Sequence, residues 1–371
     1  MKRNKLVIVS PVHYYSDIRV YKKQAMSLRP YFDSVDLFAK TNFVGVETIN
    51  DINIKTIPSF KYRILRFFYT FVLLFRLMKS NGRIYLFHNP DTLPLAFIFK
   101  FLGKTVIYDT HEDFSERILL RQWIPHSLRL FLSKFITKLE KYGCNYFDLV
   151  LVTQQELVDK YKANSFLVEN APIVQNVSHN SKSNGGSEFL SLVYVGGINQ
   201  DRGIDDIVNA LTLVNTEIAC RLNLIGPCTD KYLQFLKSLS GWQYVNYFGY
   251  LEQTDAFEIV KGSDIGVILI HDVGDYSRTS PNKLFEYSSL SIPFIASDFS
   301  SWRFHFKNNE AGFFIKPSCP NILSSKLIEI VNSGVDLNEM GRSGFEYVSN
   351  KYNWDIEFQK LLNKLIEKKV L

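Results

Sequence analysis

Polar residues gather where a helix is predicted to begin, within residues 276–298. Ser280 and Pro281 are residue types preferred at the N-cap and in the first turn of a helix. Asn282 and Lys283 follow them, at positions where backbone N–H groups have no partner inside the helix. The start of this helix therefore predicts an anion site that suits a phosphate.

Glu286 lies about one turn further along the same predicted helix, after Leu284. A carboxylate there can accept hydrogen bonds from hydroxyl groups beside the anion, as a ribose lies beside its diphosphate. The helix is predicted to end at Ser291, before Pro293, and a short buried strand follows over Phe294–Ser297. The alternative is an ordinary capped helix with a solvated glutamate.

His111 follows a strand predicted over residues 105–109, within the sequence YDTHED. Asp109, Glu112 and Asp113 are close to it in sequence, so a carboxylate can position the imidazole at the strand's carboxyl end. This pattern favours a functional histidine. The alternative is a group of N-cap residues that opens the next helix.

Gly196 and Gly197 follow another predicted strand, and Arg202 comes five residues after Gly197. A glycine pair lets the backbone approach a phosphate closely, and a guanidinium adds a permanent positive charge. By itself, a Gly-Gly pair is weak evidence for such a site.

Further polar residues in the first half are candidate contacts to an acceptor. His13 lies in the predicted loop after Ser10. Asp91 opens a turn, and Asp17 and Arg19 are two residues apart. For Asp91, Asp17 and Arg19 the alternative is an ion pair or a cap that holds a loop.

Strands and helices alternate along the first half of the chain. The predicted strands cover residues 5–10, 34–38, 83–87, 105–109, 149–153 and 165–169, with helical stretches between them. This alternation predicts a doubly wound α/β domain with a parallel sheet, whose ligands lie at the carboxyl ends of its strands. The loops that begin at Ser10, His88 and Asp109 are therefore expected to face one crevice.

Residues 176–187 read NVSHNSKSNGGS, a polar composition typical of a linker. After it, strands are predicted over 192–195, 221–225, 245–248 and 264–270, with a helix over Ile204–Val214. The sequence therefore predicts two Rossmann-like, doubly wound domains that face each other across a cleft. Their predicted limits are 1–175, a linker over 176–190, a second domain over 191–350, and a C-terminal helix over 351–371.

Length and composition agree with two globular domains. The 371 residues exceed one typical domain, and 46% of them are hydrophobic and 22% charged. The net charge of +6 favours anionic partners, which include nucleic acid, an acidic membrane surface and a phosphorylated ligand.

Several classes of site and segment are disfavoured. The four cysteines form neither C-x-x-C pairs nor zinc-finger spacings with histidine, which predicts reduced thiols in a cytosolic protein. The apolar run near the start is shorter than the core of a signal peptide, and no run reaches the roughly 18 to 20 residues that span a bilayer. The motifs H-E-x-x-H and G-x-G-x-x-G are absent, so no metal centre and no hydride transfer are expected.

Two basic, aromatic stretches cover residues 61–79 and 117–141. Large apolar residues alternate with Lys and Arg at helical spacings in both, which favours helices that lie on an anionic membrane surface. The alternative is that the apolar faces pack on the first sheet and the cations face water. In the first reading, added salt would release the protein from vesicles.

Four segments together resemble family 4 glycosyltransferases of the GT-B fold, and the similarity spans nearly the whole chain. The segments are YVGGINQDRG at 194–203, SPNKLFEYSSLSIPFIASD at 280–298, HNPDTLPLA at 88–96 and YDTHEDF at 108–114. The resemblance implies retaining, metal-independent transfer of a sugar from a nucleotide diphosphate sugar. It places the donor mainly in the second domain and the acceptor in the first, with the C-terminal helix returning to the first domain.

The resemblance also implies roles for single residues. Glu286 matches the second Glu of the family's E-x7-E motif and would hold the ribose hydroxyls. Arg202 matches the basic residue that neutralises the diphosphate, and His111 the histidine that contacts the transferred sugar. Tyr250 and Leu251 would lie beside the base of the donor. The backbone amides of Asn282 and Lys283 would contact phosphate or sugar, and the other implied donor contacts are Gly196, Gly197, Ser280 and Leu284. The implied acceptor contacts are His13, Asp17, Arg19 and Asp91.

Two positions depart from the family's pattern. Arg278 stands eight residues before Glu286, where the motif has its first Glu, and Gly197 stands where many members have a second phosphate-binding Arg. Arg278 is therefore a candidate donor contact that serves the diphosphate in place of the missing cation.

The expected reaction uses a UDP-sugar in preference to a GDP-sugar and transfers a hexosyl or N-acetylhexosaminyl group, with no cofactor and no metal. The expected acceptor is a glycan, lipid-linked as in bacterial O-antigen or capsule synthesis. The expected location is cytoplasmic, at the inner face of the plasma membrane, and no nucleic-acid partner is expected. Two other classes stay open: a sugar-nucleotide 2-epimerase of the same plan, and a non-catalytic, membrane-docked partner of a glycosyltransferase.

Overall fold

The structure, a computed structural model, describes residues 4–60, 63–119, 121, 124–174, 189–274, 276–278, 280–307 and 309–371. The chain folds into two compact units, Met1–Asn170 with Trp354–Leu371, and Ala171–Asn353. Most of the predicted linker lies outside the described residues. The second unit begins at Ala171, which is buried in its core, rather than at residue 191.

The first unit is built on an eight-stranded sheet in the order β3-β4-β2-β1-β5-β6-β7-β8. Its described pairings are parallel except for the antiparallel pair β3 and β4. The strands are β1 Lys5–Tyr14, β2 Ser34–Lys40, β3 Val46–Ile49, β4 Ile52–Ile57, β5 Ile84–His88, β6 Thr105–Thr110, β7 Leu149–Val152 and β8 Ser165–Leu167.

Helices cover both faces of this sheet. A π-helix over Ile18–Ala25 continues into α1 (Met26–Leu28) and a 3₁₀ turn, Arg29–Tyr31. The other helices are α2 Arg63–Ser80, a 3₁₀ turn Pro90–Thr92, α3 Leu93–Phe101, α4 Phe114–Leu119, α5 His126–Tyr146, α6 Gln155–Tyr161 and α14 Trp354–Glu367.

The strand β1 shows why two helical layers are needed. Leu6 and Ile8 belong to one buried cluster, whereas Val7 and Val9 belong to another. Successive side chains of a strand point to opposite faces, so an all-apolar strand must be covered on both sides. This explains the continuous apolar run at the start of the sequence.

The C-terminal helix α14 belongs to the first unit. Trp354, Phe358, Leu361 and Leu365 recur at helical spacing and are buried in the cluster that contains Leu6. Trp354 Nε1 donates to Ser27 Oγ at 2.9 Å, which fixes the start of the helix on the π-helical side of the sheet.

The second unit contains a six-stranded sheet in the order β11-β10-β9-β12-β13-β14, with every described pairing parallel. Its strands are β9 Leu190–Val195, β10 Cys220–Ile225, β11 Val245–Gly249, β12 Ile265–Ile268, β13 Phe294–Ser297 and β14 Gly312–Ile315. Its helices are α7 Ile204–Val214, α8 Asp230–Ser238, α9 Gln253–Gly262, α10 Asn282–Ser289, α11 Ser300–His305, α12 Pro320–Ser333 and α13 Leu337–Lys351, with 3₁₀ turns at Gln200–Arg202, Ser240–Tyr244 and Tyr276–Arg278.

The prediction of two doubly wound α/β units is confirmed, whereas three short strands were not predicted. β3, β4 and β14 each have only four to six residues, and β3 is largely exposed at the edge of its sheet. β3 and β14 carry little of the apolar alternation that identifies a strand. β4 does alternate, as INIKTI, and sequence reasoning overlooked it. The stretch 117–141 also differs, because it is divided between α4 and α5, and Pro125 stands at the cap of α5.

Each sheet has one point at which the strand order reverses. In the first sheet it lies between β1 and β5, and in the second between β9 and β12. Ligands of open α/β sheets bind beyond the carboxyl ends of the strands at this point. The residues that follow these four strands are therefore the first candidates for a functional site.

Candidate functional site

Three imidazoles meet at the reversal point of the first sheet. His13 comes from the end of β1, His88 from the end of β5, and His111 from just after β6. The ring centroid of His111 lies 5.3 Å from that of His13 and 5.2 Å from that of His88. We call these three residues, with Asp109, the imidazole cluster.

Asp109 is wholly buried beneath the cluster and is held by a buried cation. Arg19 donates from Nε to Asp109 Oδ2 and from Nη2 to Oδ1, each at 3.0 Å, and Gln24 Nε2 also donates to Oδ2. His111 Nδ1 lies 3.4 Å from Oδ1, and His88 Nδ1 lies 3.6 Å from Oδ2. One carboxylate thus faces two of the three rings.

The environment sets the charges in this cluster. Burial acts to raise the pKa of Asp109, but the Arg19 guanidinium and the nearby imidazoles outweigh it and hold the pKa well below its usual range. Burial lowers the pKa of His88 well below its usual value and also lowers that of His13. The cluster therefore combines an ionised carboxylate with neutral imidazoles at His13 and His88.

The ring nitrogens raise the question of a metal ion, which the sequence did not predict. Donor atoms of His88, Asp109 and His111 lie within 4.8 Å of one another. Arg19 and Gln24 already donate to both oxygens of Asp109, and a cation would lie beside a buried guanidinium. Among the described residues none of the four ring nitrogens of His88 and His111 has a hydrogen-bond partner. His88 is wholly buried, so the partly exposed His111 is the ring of this pair that a ligand can contact.

Two of the four predicted acceptor contacts, Asp17 and Arg19, stabilise the first unit itself. Asp17 accepts from the N–H groups of Arg19 and Val20 and so caps the π-helix, while Arg19 is buried in its ion pair with Asp109. Asp91 is exposed at the Pro90–Thr92 turn. His13 belongs to the imidazole cluster, where its Nδ1 lies 2.9 Å from Ser10 Oγ.

Asp109, the acid of the cluster, lies within β6, whereas the two acids after the strand have other partners. Glu112 pairs with Arg117 at 3.0 Å. Asp113 accepts from the N–H groups of Ser115 and Glu116 and from Lys160 Nζ, so it caps α4. The His111 carbonyl accepts from Thr153 Oγ1 at 2.7 Å. The capping alternative thus describes Asp113, whereas His111 is held by its backbone and turned toward Asp109.

In the second unit, β9 leads into the two glycines and then into the turn that carries Arg202. Tyr194 Oη donates to the Gly197 carbonyl at 2.9 Å, which fixes the path of this loop. The Arg202 guanidinium lies over the ring of Tyr276, 4.7 Å from its centroid. A Cβ atom added at Gly197 would meet nothing within 4 Å, so the backbone here borders open space.

Gly203 and a His–Asp pair hold the Arg202 turn against β12. Gly203 has φ +66°, and a Cβ atom there would lie 2.1 Å from the Leu269 carbonyl oxygen. His271 Nε2 lies 2.6 Å from Asp206 Oδ2, and the His271 N–H donates to the Asp201 carbonyl. The turn is therefore fixed on both sides of Arg202.

Gly203→Ala is expected to destabilise the second unit, whereas Gly197→Ala is not. The left-handed backbone alone costs about 1–2 kcal/mol for an L side chain, and the contact with Leu269 adds to this. Gly197→Ala is the matched control, because its Cβ enters open space. Thermal unfolding of the two variants measures the difference, and equal melting temperatures would contradict the assignment.

The helix α10 begins one step later than predicted. Pro281 occupies its cap position, and among the described residues no side chain caps its start. Ser280 Oγ instead lies 3.2 Å from Tyr352 Oη. The N–H of Asn282 donates to the Ser280 carbonyl, and that of Leu284 to the Pro281 carbonyl. These two amides are thus already hydrogen-bonded.

The side chains of Lys283 and Glu286 form an ion pair on α10. Lys283 Nζ lies 2.6 Å from Glu286 Oε2, and both side chains are partly exposed. Leu284, predicted to contact the donor, is wholly buried, so its side chain packs in the core rather than in a ligand site. Glu286 is the acid that the sequence predicted at this helix, and it is available at the surface of the unit.

The remaining predicted donor contacts have mixed positions. Arg278 ends the Tyr276–Arg278 turn and is exposed. Tyr250 is 68% exposed, and its Oη donates to Glu252. Leu251 is half-buried and packs against the core of the second unit.

Sequence reasoning placed the loop that begins at His88 at the crevice but gave His88 and Asn89 no role of their own. It missed Gln24, Asp206, His271 and Tyr276, which act through contacts with residues distant in sequence. Asn89 has φ +68° while being almost fully buried, a strained backbone at the reversal point. Of these, His88 and His271 follow predicted strands, which was the one signal in the sequence that could have identified them.

The comparisons with known proteins concern both the family and the fold. Residues 190–333 match the family model described as "Glycosyl transferases group 1". This segment lies within the second unit and contains Gly196, Arg202 and Glu286. No curated protein matches the sequence significantly.

Solved structures match nearly the whole chain at low identity. A sucrose-phosphate synthase from Thermosynechococcus elongatus has a TM-score of 0.76 and 15% identity, covering 98% of this chain and 100% of its own. A glycosyltransferase from Rickettsia africae has a TM-score of 0.67 and 15% identity, covering 99% of each chain. HepE of Anabaena, in complex with UDP and glucose, has a TM-score of 0.69 and 11% identity, covering 98% of this chain and 99% of its own.

These structural similarities establish the fold. The chain has the mixed α/β arrangement of two parallel-sheet, Rossmann-like units found in GT-B glycosyltransferases, and its second unit carries a segment that matches a glycosyltransferase group 1 domain.

Proposed function

We propose that this protein is a retaining glycosyltransferase that uses a nucleotide diphosphate sugar, with UDP favoured over GDP as the carrier. One observation carries the proposal. Within the segment that matches the glycosyltransferase model, the Arg202 turn follows β9 at the reversal point of the sheet, and the partly exposed side chain of Glu286 lies on α10. HepE, solved with UDP and glucose, supports a uridine carrier.

In this proposal Arg202 stabilises the leaving group. A nucleoside diphosphate gains negative charge as the bond to the sugar breaks, and a fixed guanidinium stabilises that charge without reorganisation. Stacking on Tyr276 and the anchored turn at Gly203 hold Arg202 in place. Attack by the acceptor hydroxyl from the face of the departing phosphate lets a phosphate oxygen take the proton, so no protein nucleophile is required.

The imidazole cluster supports a second element of the proposal, a hydroxyl-binding site in the first unit. His111 Nε2 is buried and lacks a hydrogen-bond partner among the described residues. A sugar hydroxyl can supply that partner, while Nδ1 on the other side of the ring faces Asp109 Oδ1 at 3.4 Å.

Incubation with labelled nucleotide sugars separates the possible functions. Transfer of label to a glycan acceptor supports the proposal, and retention is read from the anomeric configuration of the product. Release of a free epimer would identify a sugar-nucleotide 2-epimerase. Absence of any product with every donor, despite a folded protein, would favour a non-catalytic partner.

Glu286→Ala is expected to weaken binding of the nucleotide sugar by about tenfold or more. A hydrogen bond to a charged group contributes roughly 1.5–3 kcal/mol, and the ribose hydroxyls would lose it. Isothermal titration calorimetry measures the affinity. Glu329→Ala is a matched control, because Glu329 pairs with Lys326 at the same spacing on α12. Unchanged affinity in the folded Glu286 variant rules out the ribose role.

We further propose that the acceptor is a lipid-linked glycan of surface polysaccharide synthesis, reached at the anionic inner face of the plasma membrane. Helices α2, α3 and α5 cover one face of the first sheet and share its buried cluster. Their outer sides expose large apolar residues, among them Phe71 at 60%, Phe75 at 65%, Phe101 at 82% and Phe131 at 63%. We call this the apolar face. Several large exposed apolar side chains on the helices of one face favour an interaction site there.

The cations near the apolar face contribute less to binding an anionic surface than the sequence suggested, because two of them are hydrogen-bonded within the unit. Arg76 donates to Thr56 and Tyr69, and Arg129 donates to the carbonyls of Ile124 and Leu119. Lys79, Arg121, Lys134 and Lys138 are exposed. Lys61 and the side chains of Arg63 and Arg66 lie outside the described residues. No described helix is long and apolar enough to cross a bilayer.

Phe71→Ser with Phe75→Ser is expected to abolish co-sedimentation with vesicles that contain anionic lipid. Each buried phenylalanine contributes roughly 1.5–3 kcal/mol and each nearby cation about 1 kcal/mol, so insertion outweighs charge and salt weakens binding only in part. Phe304→Ser, at a 75% exposed phenylalanine of the second unit, is the control. A wild-type protein that fails to bind such vesicles at low salt, or that buries this face in a dimer by analytical ultracentrifugation, contradicts the proposal.

A further inference from the structure

The proposed donor site has fewer fixed positive charges than a diphosphate needs. Gly197 offers no side chain, and Arg202 is one guanidinium for two phosphate groups. The amides of Asn282 and Leu284 are already bonded to the carbonyls of Ser280 and Pro281. These two N–H groups are therefore already used. Amides at a helix start carry only partial positive charge, so a second full positive charge for the diphosphate has to come from a side chain.

The Lys283–Glu286 pair is the charged group on the same helix. Nζ and Oε2 are 2.6 Å apart, and the side chains are 36% and 21% exposed, so the pair is reachable by a ligand. An ion pair this exposed is held weakly. Lysine carries its charge on a flexible four-carbon stem, so Nζ can turn to a new partner without movement of the helix.

We propose that Lys283 is the second cation of the diphosphate site and that the donor takes it over from Glu286. This inference rests on the proposed function. When ribose hydroxyls donate to the Glu286 carboxylate, they replace the bond that Lys283 made, and Nζ turns to a phosphate oxygen. Without Lys283, the Glu286 carboxylate and the diphosphate would be two negative groups in one site and would repel each other. The pair thus distinguishes a nucleoside diphosphate from a nucleoside.

Arg278 is the competing candidate for the missing cation. It ends the Tyr276–Arg278 turn, and its side chain is exposed. Lys283 is favoured because it lies one helical turn before Glu286 and already contacts it, so one motion serves both ends of the ligand.

Calorimetry with uridine, UDP, guanosine and GDP tests the assignment on wild type, Lys283→Met, Arg278→Met and Lys326→Met. Lys326 pairs with Glu329 at the same spacing on α12 and is the matched control. For the preferred base, Lys283→Met is expected to weaken diphosphate binding about tenfold or more. It should leave nucleoside binding unchanged or tighter, since Glu286 has lost its competitor. Arg278→Met and Lys326→Met should change neither ligand by more than about twofold.

Three results would overturn the inference. Equal loss of nucleoside and diphosphate affinity in Lys283→Met would make Lys283 a support for Glu286 alone. Unchanged diphosphate affinity, or its loss in Arg278→Met instead, would remove Lys283 from the site. A folded wild type that binds none of the four ligands would overturn the proposed function and this inference with it. Thermal unfolding of every variant shows whether it is folded. Lys283→Gln is a second variant without the charge that should repeat the result of Lys283→Met.

Discussion

His111→Ala is expected to lower the rate constant for sugar transfer by about 100-fold or more, with nucleoside diphosphate affinity unchanged. A positioned donor to the reacting group is worth on the order of 10²–10³ in kcat. His111 is positioned by three contacts: its carbonyl accepts from Thr153, its Nδ1 faces Asp109, and its ring lies between those of His13 and His88. Single-turnover transfer of labelled sugar measures the effect.

The control for this variant is His126→Ala, which removes an exposed imidazole at the start of α5 in the same unit. It should leave transfer unchanged. If His111→Ala instead lowers the melting temperature by many degrees and weakens donor binding in parallel, the imidazole cluster is a structural network. A folded variant with full activity would show that His111 has no part in transfer.

The local elements of both units were predictable because they depend on neighbouring residues. Short strand patterns predicted β13 to the residue, β10 to within one residue and β9 to within two. The helix predicted over Ile204–Val214 is α7. The imidazole cluster was predicted only in part. Arg19 lies 90 positions before Asp109, and no local pattern indicates that a guanidinium will cross to that strand. The sequence therefore offered Arg19 as an acceptor contact, and the fold uses it as a buried partner.

In the second unit, too, a contact between residues distant in sequence changed a predicted element. Ser280 and Pro281 have the right types for the start of a helix, but Ser280 is drawn to Tyr352, which lies 72 positions further on. The helix then begins at Asn282, and Leu284 turns into the core. The spacing of residues predicted Glu286 on this helix. On a helix, residues three apart are neighbours, so the ion pair between Lys283 and Glu286 could have been predicted as well.

Arg19→Met is expected to destabilise the first unit by about 3–5 kcal/mol at neutral pH, because it leaves a buried carboxylate without its cation. Arg19 is 6% exposed and Asp109 is wholly buried. Gln24 and the neutral imidazole of His88 would remain beside the carboxylate, and neither carries a compensating charge at neutral pH. Urea unfolding at pH 7 measures the loss, and Arg303→Met, at the exposed pair with Asp298, is the control that should lose less than about 1 kcal/mol.

The pH dependence of this variant tests the cause. In the wild type the pKa of Asp109 is depressed, so its contribution to stability is present above the unfolded value of about 3.9 and is lost as the pH falls through the folded value. Arg19→Met removes the largest cause that lowers the pKa of Asp109, so burial raises the folded pKa above the unfolded value. The contribution of Asp109 to stability then diminishes as the pH rises. The stability gap between the two proteins should therefore widen from pH 4 to pH 7.

The double variant Arg19→Met/Asp109→Asn removes the charge and should recover part of the loss at pH 7. A gap that is independent of pH, and that the double variant does not reduce, would mean that Arg19 acts through packing rather than charge.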